Sequence, residues 1–274
     1  MPSDTDLQPG DIPDALALSD AAGWNQTADD WAFFVRHGAI GRRDAATGRV
    51  VATAASLAYG AVAWVSMVLV AAERRHEGLA SALVAESIAG VRARGLVPVL
   101  DATPAGRPVY AALGFEGDLG FERWERSERE GDRGRRDAPV DGDPEVDAVA
   151  ALDLAASGLD RRDWFADVLR RPGSSAVRDG ADGFALVRAG RRARQIGPVV
   201  AGDERAALSL VDRALARVGA ARVFIDVPVA RVALTAHLQR AGFARQRPFT
   251  RMAQGALPPP LGARQFAFAG PEFG

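Results

Sequence analysis

The sequence predicts an α/β (α+β) protein of two similar halves, each a mixed, mostly antiparallel sheet flanked by helices. Helix-like and strand-like patterns follow one another in the same order twice, and a charged segment with almost no apolar residues separates the two runs. The tripeptides L-G-F at 113–115 and A-G-F at 241–243 each close a predicted helix that follows an apolar strand. Duplication of one α/β unit explains all three observations.

The first half begins with two predicted helices and continues with strands. Thr27 is a suitable N-cap for the second helix, and Asp29 and Asp30 lie in its first turn, where the helix dipole favours acidic side chains. Gly48 and Gly60 separate three strand-like runs and predict an antiparallel meander. The predicted order is helices 11–19 and 27–37, strands 38–43, 50–59 and 61–71, helix 78–94, strand 96–100, helix 106–113 and strand 121–124.

A segment at 126–144 divides the chain. It is rich in charge, glycine and proline and cannot bury itself, so it predicts a linker between a domain at 1–125 and a domain at 145–274. The second domain repeats the order of the first, with helices 146–157 and 161–170, strands 175–178, 183–189 and 192–200, helix 203–218, strand 223–227, helix 230–241 and strand 246–252. The tail at 255–274 contains three consecutive prolines and predicts an extended segment.

Composition excludes several classes of function. Hydrophobic residues make up 48% of the 274 residues and charged residues 25%, as in globular proteins. The 34 basic and 35 acidic residues leave a formal net charge of -1, so we expect binding neither to nucleic acid nor to a membrane. The absence of cysteine excludes disulfides, thiolate nucleophiles and cysteine zinc sites, and no metal site is predicted.

The N-terminal residues and the most apolar stretch predict a cytoplasmic protein. Asp4 and Asp6 lie where a secretory signal needs basic residues followed by an apolar core. The apolar stretch at 58–72 is interrupted by Gly60 and Ser66 and is shorter than the roughly 18 residues of a membrane span.

The segment at 68–83 carries the strongest functional signal. A buried strand is predicted to end at Val70, a basic loop with Arg74, Arg75 and His76 follows, and Gly78 opens a long helix. The free N–H groups and positive dipole end of such a helix, beside a basic loop, form a site for phosphate or pyrophosphate. Spacing alone leaves open whether this loop binds an anion or only caps the helix.

Two motifs resemble those of one enzyme family. R-H-E-G-L-A at 75–80 is similar to the Q/R-x-x-G-x-G/A acetyl-CoA motif of the GNAT superfamily of N-acetyltransferases, and L-D-A-T-P-A-G-R-P-V-Y-A-A-L-G-F at 100–115 resembles a second family motif. G-W-N-Q-T-A-D-D-W at 23–31 is similar to the substrate-side helices of a bacterial subgroup that carries a second GNAT-like domain. I-G-P-V-V and R-P-F-T-R-M in the second half are similar to that second domain. The resemblance implies two tandem GNAT-like domains, the first of them catalytic.

The resemblance also implies acetyl-CoA as cosubstrate. The backbone of Val68, Leu69 and Val70 would pair with the pantetheine arm like an added strand, and amides between His76 and Ser81 would hold the pyrophosphate. The implied cofactor contacts are Val68, Leu69, Val70, Arg75, His76, Glu77, Gly78, Leu79, Ala80 and Ser81.

Tyr110 occupies the position of the family's general acid, which protonates the departing CoA thiolate. A phenol with a pKa near 10 can donate that proton at neutral pH. The alternative is a core aromatic residue with a hydrated hydroxyl group. Ala105 replaces the asparagine that the family often has five residues before this tyrosine.

The implied reaction is direct attack of a primary amine on the thioester, without an acyl-enzyme. A protonated amine is not a nucleophile, so a base or a water chain must accept its proton. Asp101, at the end of a strand beside the acetyl site, is the first candidate for this base, and Glu73 is the second. Either could instead be an ordinary strand-end carboxylate.

Trp24, Asn25, Asp30 and Trp31 are the candidate acceptor-binding residues. Aromatic side chains would shape the pocket and Asp30 would attract a cationic amine, whereas Trp31 is equally explained as a helix anchor in the core. The expected partner is a small-molecule amine of unspecified identity, and the chain is expected to be a monomer or a homodimer. The alternative function is a non-catalytic protein that senses CoA or a metabolite on tandem GNAT folds.

The second half differs from the first at the matching loop. A-G-D-E-R-A-A at 201–207 is acidic where 75–80 is basic, and this half contains no tyrosine. Because carboxylates repel pyrophosphate, we expect the C-terminal domain to be degenerate and not to bind CoA. Its expected role is to cover the first domain and shape the acceptor site.

Overall fold

A computed structural model describes residues 5–129, 146–255 and 261–274 of the chain. The elements of the first half are α1 (Ile12–Ala21), α2 (Ala28–His37), β1 (Ala39–Arg43), β2 (Val50–Tyr59), β3 (Val62–Val70), α3 (Leu79–Ala93), β4 (Val97–Ala102), α4 (Arg107–Ala112) and β5 (Glu116–Arg126). Thr27 caps α2, because its hydroxyl accepts the N–H of Asp30 at 3.2 Å. Strand β5 is longer than the predicted 121–124.

The second half repeats this order of elements. It contains α5 (Val146–Ser157), α6 (Arg162–Val168), β6 (Ser175–Asp179), β7 (Gly183–Arg188), β8 (Arg194–Val200), α7 (Glu204–Val218), β9 (Val223–Pro228), α8 (Val232–Arg240), β10 (Ala244–Ala253) and β11 (Gln265–Ala267). Residues 130–145, which hold most of the predicted linker, and 256–260 of the tail lie outside the described residues.

The strands form one continuous sheet. Its strand order is β1-β2-β3-β4-β10-β5-β9-β8-β7-β6, and β11 pairs with β8 off this path. Strand β3 runs parallel to β4, and β8 runs parallel to β9, whereas the other paired strands are antiparallel. The prediction of an α/β chain with mixed, mostly antiparallel sheet flanked by helices is confirmed.

The two halves exchange strands β5 and β10. Strand β10 of the second half lies between β4 and β5, and β5 of the first half lies between β10 and β9. Phe121 and Phe249 are opposite each other in the β5–β10 pair, and their stacked rings are 5.0 Å apart. Two residues further along each strand, Arg123 and Arg251 lie opposite an aspartate of the neighbouring strand, so the exchange is approximately two-fold symmetric. The boundary predicted at residue 125 therefore does not divide the sheet.

One aromatic core spans both halves. Trp64 of β3 and Trp164 of α6 are fully buried. Phe273 of the tail stacks on Phe34 of α2 with ring centroids 5.1 Å apart, and it lies 5.1 Å from Trp164. The Trp64 indole N–H donates to the Pro271 carbonyl at 3.1 Å. The tail thus completes a core that begins on helices and strands of the first half, and burial of these rings stabilises the joined halves.

Within the described ranges, no helix has the length and apolar character of a membrane span, and no three His, Cys, Asp or Glu side chains are grouped as metal ligands would be.

Candidate active site

A cleft opens where the two parallel strands of the first half diverge. Strands β3 and β4 pair only at residues 62–64 and 97–99. Beyond this point β3 keeps its pairing with β2, while no described strand pairs with its other edge. Met67 has a φ of 55°, and the register with β2 shifts beside it, so β3 bulges here. The unpaired backbone groups of this edge are available to an extended ligand.

The first half lines a cavity beside this edge. Residues 65–68 of β3, Leu100 and Asp101 of β4, and Tyr110 of α4 contribute to its wall. Val68 lies on this wall, whereas Leu69 and Val70 continue β3 beyond it, opposite Thr53 and Ala52 of β2. The strand edge and the reactive side chains proposed from the sequence therefore adjoin the same space.

The loop after β3 leads into the N-terminus of α3. Gly78 at the N-cap has a φ of 78°, which residues with a side chain rarely adopt, and no atom of the described residues lies within 4 Å of the place where its Cβ would be. An α-helix leaves its first N–H groups without an intrahelical acceptor, and glycine has no side chain to accept them. Leu79 and Ala80 are half-buried and Ser81 is exposed in this first turn. The turn is a suitable binding site for an anion.

An ion-pair network surrounds Arg74 in this loop. The Arg74 guanidinium donates from Nε to both Glu77 oxygens at 2.8 and 2.9 Å, and from Nη1 to Asp44 at 2.8 Å. The hydrogen bond from Arg74 lowers the pKa of Glu77, whose negative charge is thereby compensated. Arg75 and His76 are exposed beside it. Within residues 73–78, Arg74 and Arg75 balance the charges of Glu73 and Glu77, so the loop carries no formal net charge.

Tyr110 reaches the cavity from α4. Its ring packs edge-on against Phe115 at 6.0 Å between centroids. A Cβ at Gly106 would lie 3.0 Å from the Tyr110 ring, so the absence of a side chain at Gly106 allows this position. Burial raises the pKa of the Tyr110 hydroxyl above its usual value. The phenol therefore holds its proton at neutral pH.

Asp101 is a buried carboxylate that faces the cavity and is held by Arg251. The Arg251 guanidinium donates to its two oxygens at 2.9 and 3.0 Å. Burial raises the pKa of Asp101, and the charge of Arg251 opposes that rise. Asp226 makes the equivalent pair with Arg123 at 2.8 and 2.7 Å in the second half. Glu73 is exposed in a 3-10 turn and does not line the cavity.

Trp24 and Asn25 line the cavity from the loop between α1 and α2. Trp24 is half-buried. The polar atoms of Asn25 are already bound to the second half, because its Oδ1 accepts the N–H groups of Arg192 and Ala193, both at 2.9 Å, and its Nδ2 donates to the Ala193 carbonyl at 3.1 Å. Asn25 shapes the wall by fixing this backbone.

The structure corrects the assignment of Asp30 and Trp31 to the acceptor site. Both side chains are fully buried, and neither lines the cavity. The Trp31 indole N–H donates to Ser19 Oγ at 2.8 Å, so Trp31 anchors α2 in the core. Asp30 accepts the Thr27 N–H at 2.8 Å and the Arg171 guanidinium at 2.6 Å. Asp30 therefore caps α2 and joins the halves, through a partner that sequence spacing could not indicate.

Sequence reasoning also missed the cavity residues that come from the second half. Arg247 and Phe249 on β10, with Pro271 and Glu272 in the tail, line the cavity. They reach it because β10 lies beside β4 and because the tail packs on Trp64. R-P-F-T-R-M at 247–252 resembles the second domain of the GNAT subgroup, but no pattern in this segment predicts which strand lies beside it.

The chain itself fills the corresponding cleft of the second half. Strands β8 and β9 pair in parallel only at residues 194–196 and 223–225. Beyond this point β11 pairs with β8, and the Phe268 N–H donates to the Asp226 carbonyl of β9 at 2.9 Å. A Cβ at Gly197 would clash with the Phe268 carbonyl oxygen, so the tail lies directly against β8. Residues 264–268 thus lie between β8 and β9, at the position that is open between β3 and β4 in the first half.

The helix N-terminus of the second half is also occupied by a protein group. The Asp203 carboxylate caps α7 by accepting the Ala206 N–H at 2.8 Å. Glu204 adds a second acidic side chain to this turn. An anionic ligand here would meet a carboxylate where the first half presents Gly78.

Comparisons with known proteins agree with this architecture. Residues 14–115 match the family described as Acetyltransferase (GNAT) family, and residues 149–267 match the Acetyltransferase (GNAT) domain. No curated protein sequence matches the chain significantly.

Solved structures share the fold over almost the whole chain. A candidate acetyltransferase of Pyrococcus horikoshii superimposes with a TM-score of 0.79 at 21% identity and covers 98% of this chain and 94% of its own. A tandem GNAT protein from the clavulanic acid biosynthesis pathway gives 0.60 at 17% identity, covering 92% and 98%. A GCN5-related N-acetyltransferase from Sphaerobacter thermophilus gives 0.61 at 14% identity, covering 91% and 94%. The chain belongs to the GNAT superfamily of acetyltransferases and carries two GNAT domains in tandem.

Proposed function

We propose that the chain is an acetyl-CoA-dependent N-acetyltransferase whose active site is the cleft between β3 and β4. One observation carries this proposal. Among the described residues, nothing pairs with the free edge of β3 in the first of two related clefts, whereas residues 264–268 fill the second. GNAT acetyltransferases use acetyl-CoA, and an extended cofactor arm needs an open strand edge.

The residues of the first half fit the cofactor. The free edge of β3 at Val68, Leu69 and Val70 would pair with the pantetheine arm. The N–H groups at residues 76–81 would hold the pyrophosphate, and the space beside Gly78 lets that group approach the backbone. Arg75 supplies positive charge at the same turn. When bound, acetyl-CoA supplies the thioester that the acceptor amine attacks.

Tyr110 and Asp101 move the protons in this proposal. Tyr110 donates a proton to the departing thiolate, because its raised pKa keeps the hydroxyl protonated at neutral pH. Asp101 accepts the proton of the attacking amine, because a buried carboxylate with a raised pKa is a stronger base than an exposed one. Both residues line the cavity, and Trp24, which also lines it, would contact the acceptor.

The two tyrosines of the chain provide a matched test. Thiol release from acetyl-CoA is measured with a panel of small primary amines for wild type, Tyr110→Phe and Tyr59→Phe. Tyr59 is buried on β2, does not line the cavity, and its hydroxyl has no hydrogen-bond partner among the described residues, so its removal should leave turnover unchanged. Loss of the general acid at Tyr110 should lower kcat by roughly 100-fold or more.

Equal turnover in Tyr110→Phe and Tyr59→Phe would contradict the role of Tyr110. Binding of acetyl-CoA without thiol release for any amine would contradict the transferase proposal and support a CoA-binding protein.

A further inference from the structure

Most charges at the cavity wall are paired within the protein. Two carboxylates and one guanidinium of the wall each have an oppositely charged partner at hydrogen-bond distance. These pairs are Asp101–Arg251, Glu272–Arg188 and Arg123–Asp226. These three ion pairs therefore contribute no net charge to the cavity wall.

Arg247 is the exception. It lines the cavity from β10, yet it makes no ion pair or hydrogen bond with any residue of the described ranges, and its Nε is fully buried without a partner. Burial, and then repulsion from Arg123, lowers its pKa, while the negative charges of Asp226 and Glu272 act in the opposite direction. Its guanidinium lies 5.4 Å from the Phe249 ring centroid. Because Asp226 and Glu272 already pair with Arg123 and Arg188, the described part of the chain leaves the half-buried Arg247 without a counterion of its own.

Two neutral polar atoms of the same wall also lack partners. Gln26 Oε1 and Ser66 Oγ are buried and have no hydrogen-bond partner among the described residues. A carboxamide oxygen accepts hydrogen bonds, and a hydroxyl group both accepts and donates them. These atoms can therefore receive the N–H groups of an amine, which Arg247 would repel when the amine is protonated.

We propose that the acceptor is a primary amine that also carries a carboxylate, as an amino acid does, and that Arg247 binds this carboxylate. Gln26 and Ser66 orient the amino group. One guanidinium balances the single charge of a carboxylate and matches its two oxygens, whereas a phosphate dianion would leave excess negative charge. This inference depends on the N-acetyltransferase function proposed above.

The test compares amino acids with their amides as acceptors. Values of kcat/KM are measured for both series with wild type, Arg247→Gln, Arg247→Lys and the control Arg245→Gln. Arg245 is exposed on the same strand, where it pairs with Glu122. Wild type and Arg245→Gln should prefer the free carboxylates. Arg247→Gln should lower kcat/KM for amino acids by roughly tenfold to a hundredfold without affecting the amides, and Arg247→Lys should keep part of the preference.

The failure of this inference can be distinguished from the failure of the proposed function. If wild type acetylates amides as well as amino acids, or if Arg247→Gln affects both series equally, the carboxylate assignment is wrong while the transferase activity stands. Preference for phosphoethanolamine over every amino acid would also overturn it. The absence of acetyl-CoA binding would overturn the function itself.

Discussion

At the scale of residues, two buried ion pairs of the same design have different surroundings. Asp101–Arg251 and Asp226–Arg123 lie at equivalent positions on either side of the strand exchange. Only Asp101 of the two aspartates lines the cavity, while the backbone carbonyl of Asp226 is bound by the tail. The Asp226–Arg123 pair therefore stabilises the fold as the Asp101–Arg251 pair does, but its aspartate takes no part in the proposed proton transfer. It therefore provides an internal control for the base proposed at Asp101.

Asp101→Asn and Asp226→Asn should destabilise the fold to a similar extent, because each leaves a buried arginine without its counterion. The expected loss in free energy of unfolding, measured by urea denaturation, is about 3 kcal/mol or more for each variant. Under conditions where both are folded, Asp101→Asn should lose roughly 100-fold in kcat through loss of the base, and Asp226→Asn only a few-fold. Equal losses of kcat would indicate that Asp101 acts only in the fold.

At the scale of elements, the sequence predicted most helices and strands because their apolar periodicity is local. The predicted bounds of β2 and α5 coincide with the observed ones. The first residues of β5, E-G-D-L-G at 116–120, lack that periodicity and become a strand by pairing with β10. The three prolines of the tail predict an extended segment, but the short apolar run that follows does not indicate that it fills a cleft.

Gly197 should tolerate no side chain, because the tail lies against it. A Cβ there would clash with the Phe268 carbonyl, and its φ of 142° is also unfavourable for other residues. We expect Gly197→Ala to lose at least about 2 kcal/mol in free energy of unfolding and to speed hydrogen exchange at residues 264–269.

Gly90 is the control for this substitution. It lies in α3, and no atom in the described part of the chain is within 4 Å of its Cβ position, so Gly90→Ala should stabilise the protein by roughly 0.5–1 kcal/mol. Wild-type stability in Gly197→Ala would show that the tail does not occupy the second cleft as described.

At the scale of the whole molecule, the strand exchange makes one site from two halves. A strand's side-chain pattern indicates which face is buried but does not identify its neighbouring strand, so the insertion of β10 beside β4 could not be predicted. Arg247 and Glu272 belong to the cavity only because of that arrangement. The loop at 75–80 and Tyr110 could be proposed from motifs within one half, and their roles stay predictions.

Calorimetric titration of acetyl-CoA tests the central claim that one open cleft, in the first half, binds the cofactor. The proteins are wild type, Ser81→Glu and Gly202→Glu. Ser81 is exposed in the first turn of α3, where a glutamate suits the helix but repels pyrophosphate. Gly202 is exposed before α7 with open space around it, and its substitution places the same charge in the second half.

We expect one site per chain in wild type and in Gly202→Glu, and at least about tenfold weaker binding in Ser81→Glu. Unchanged affinity in Ser81→Glu, or loss of binding in Gly202→Glu, would contradict the account.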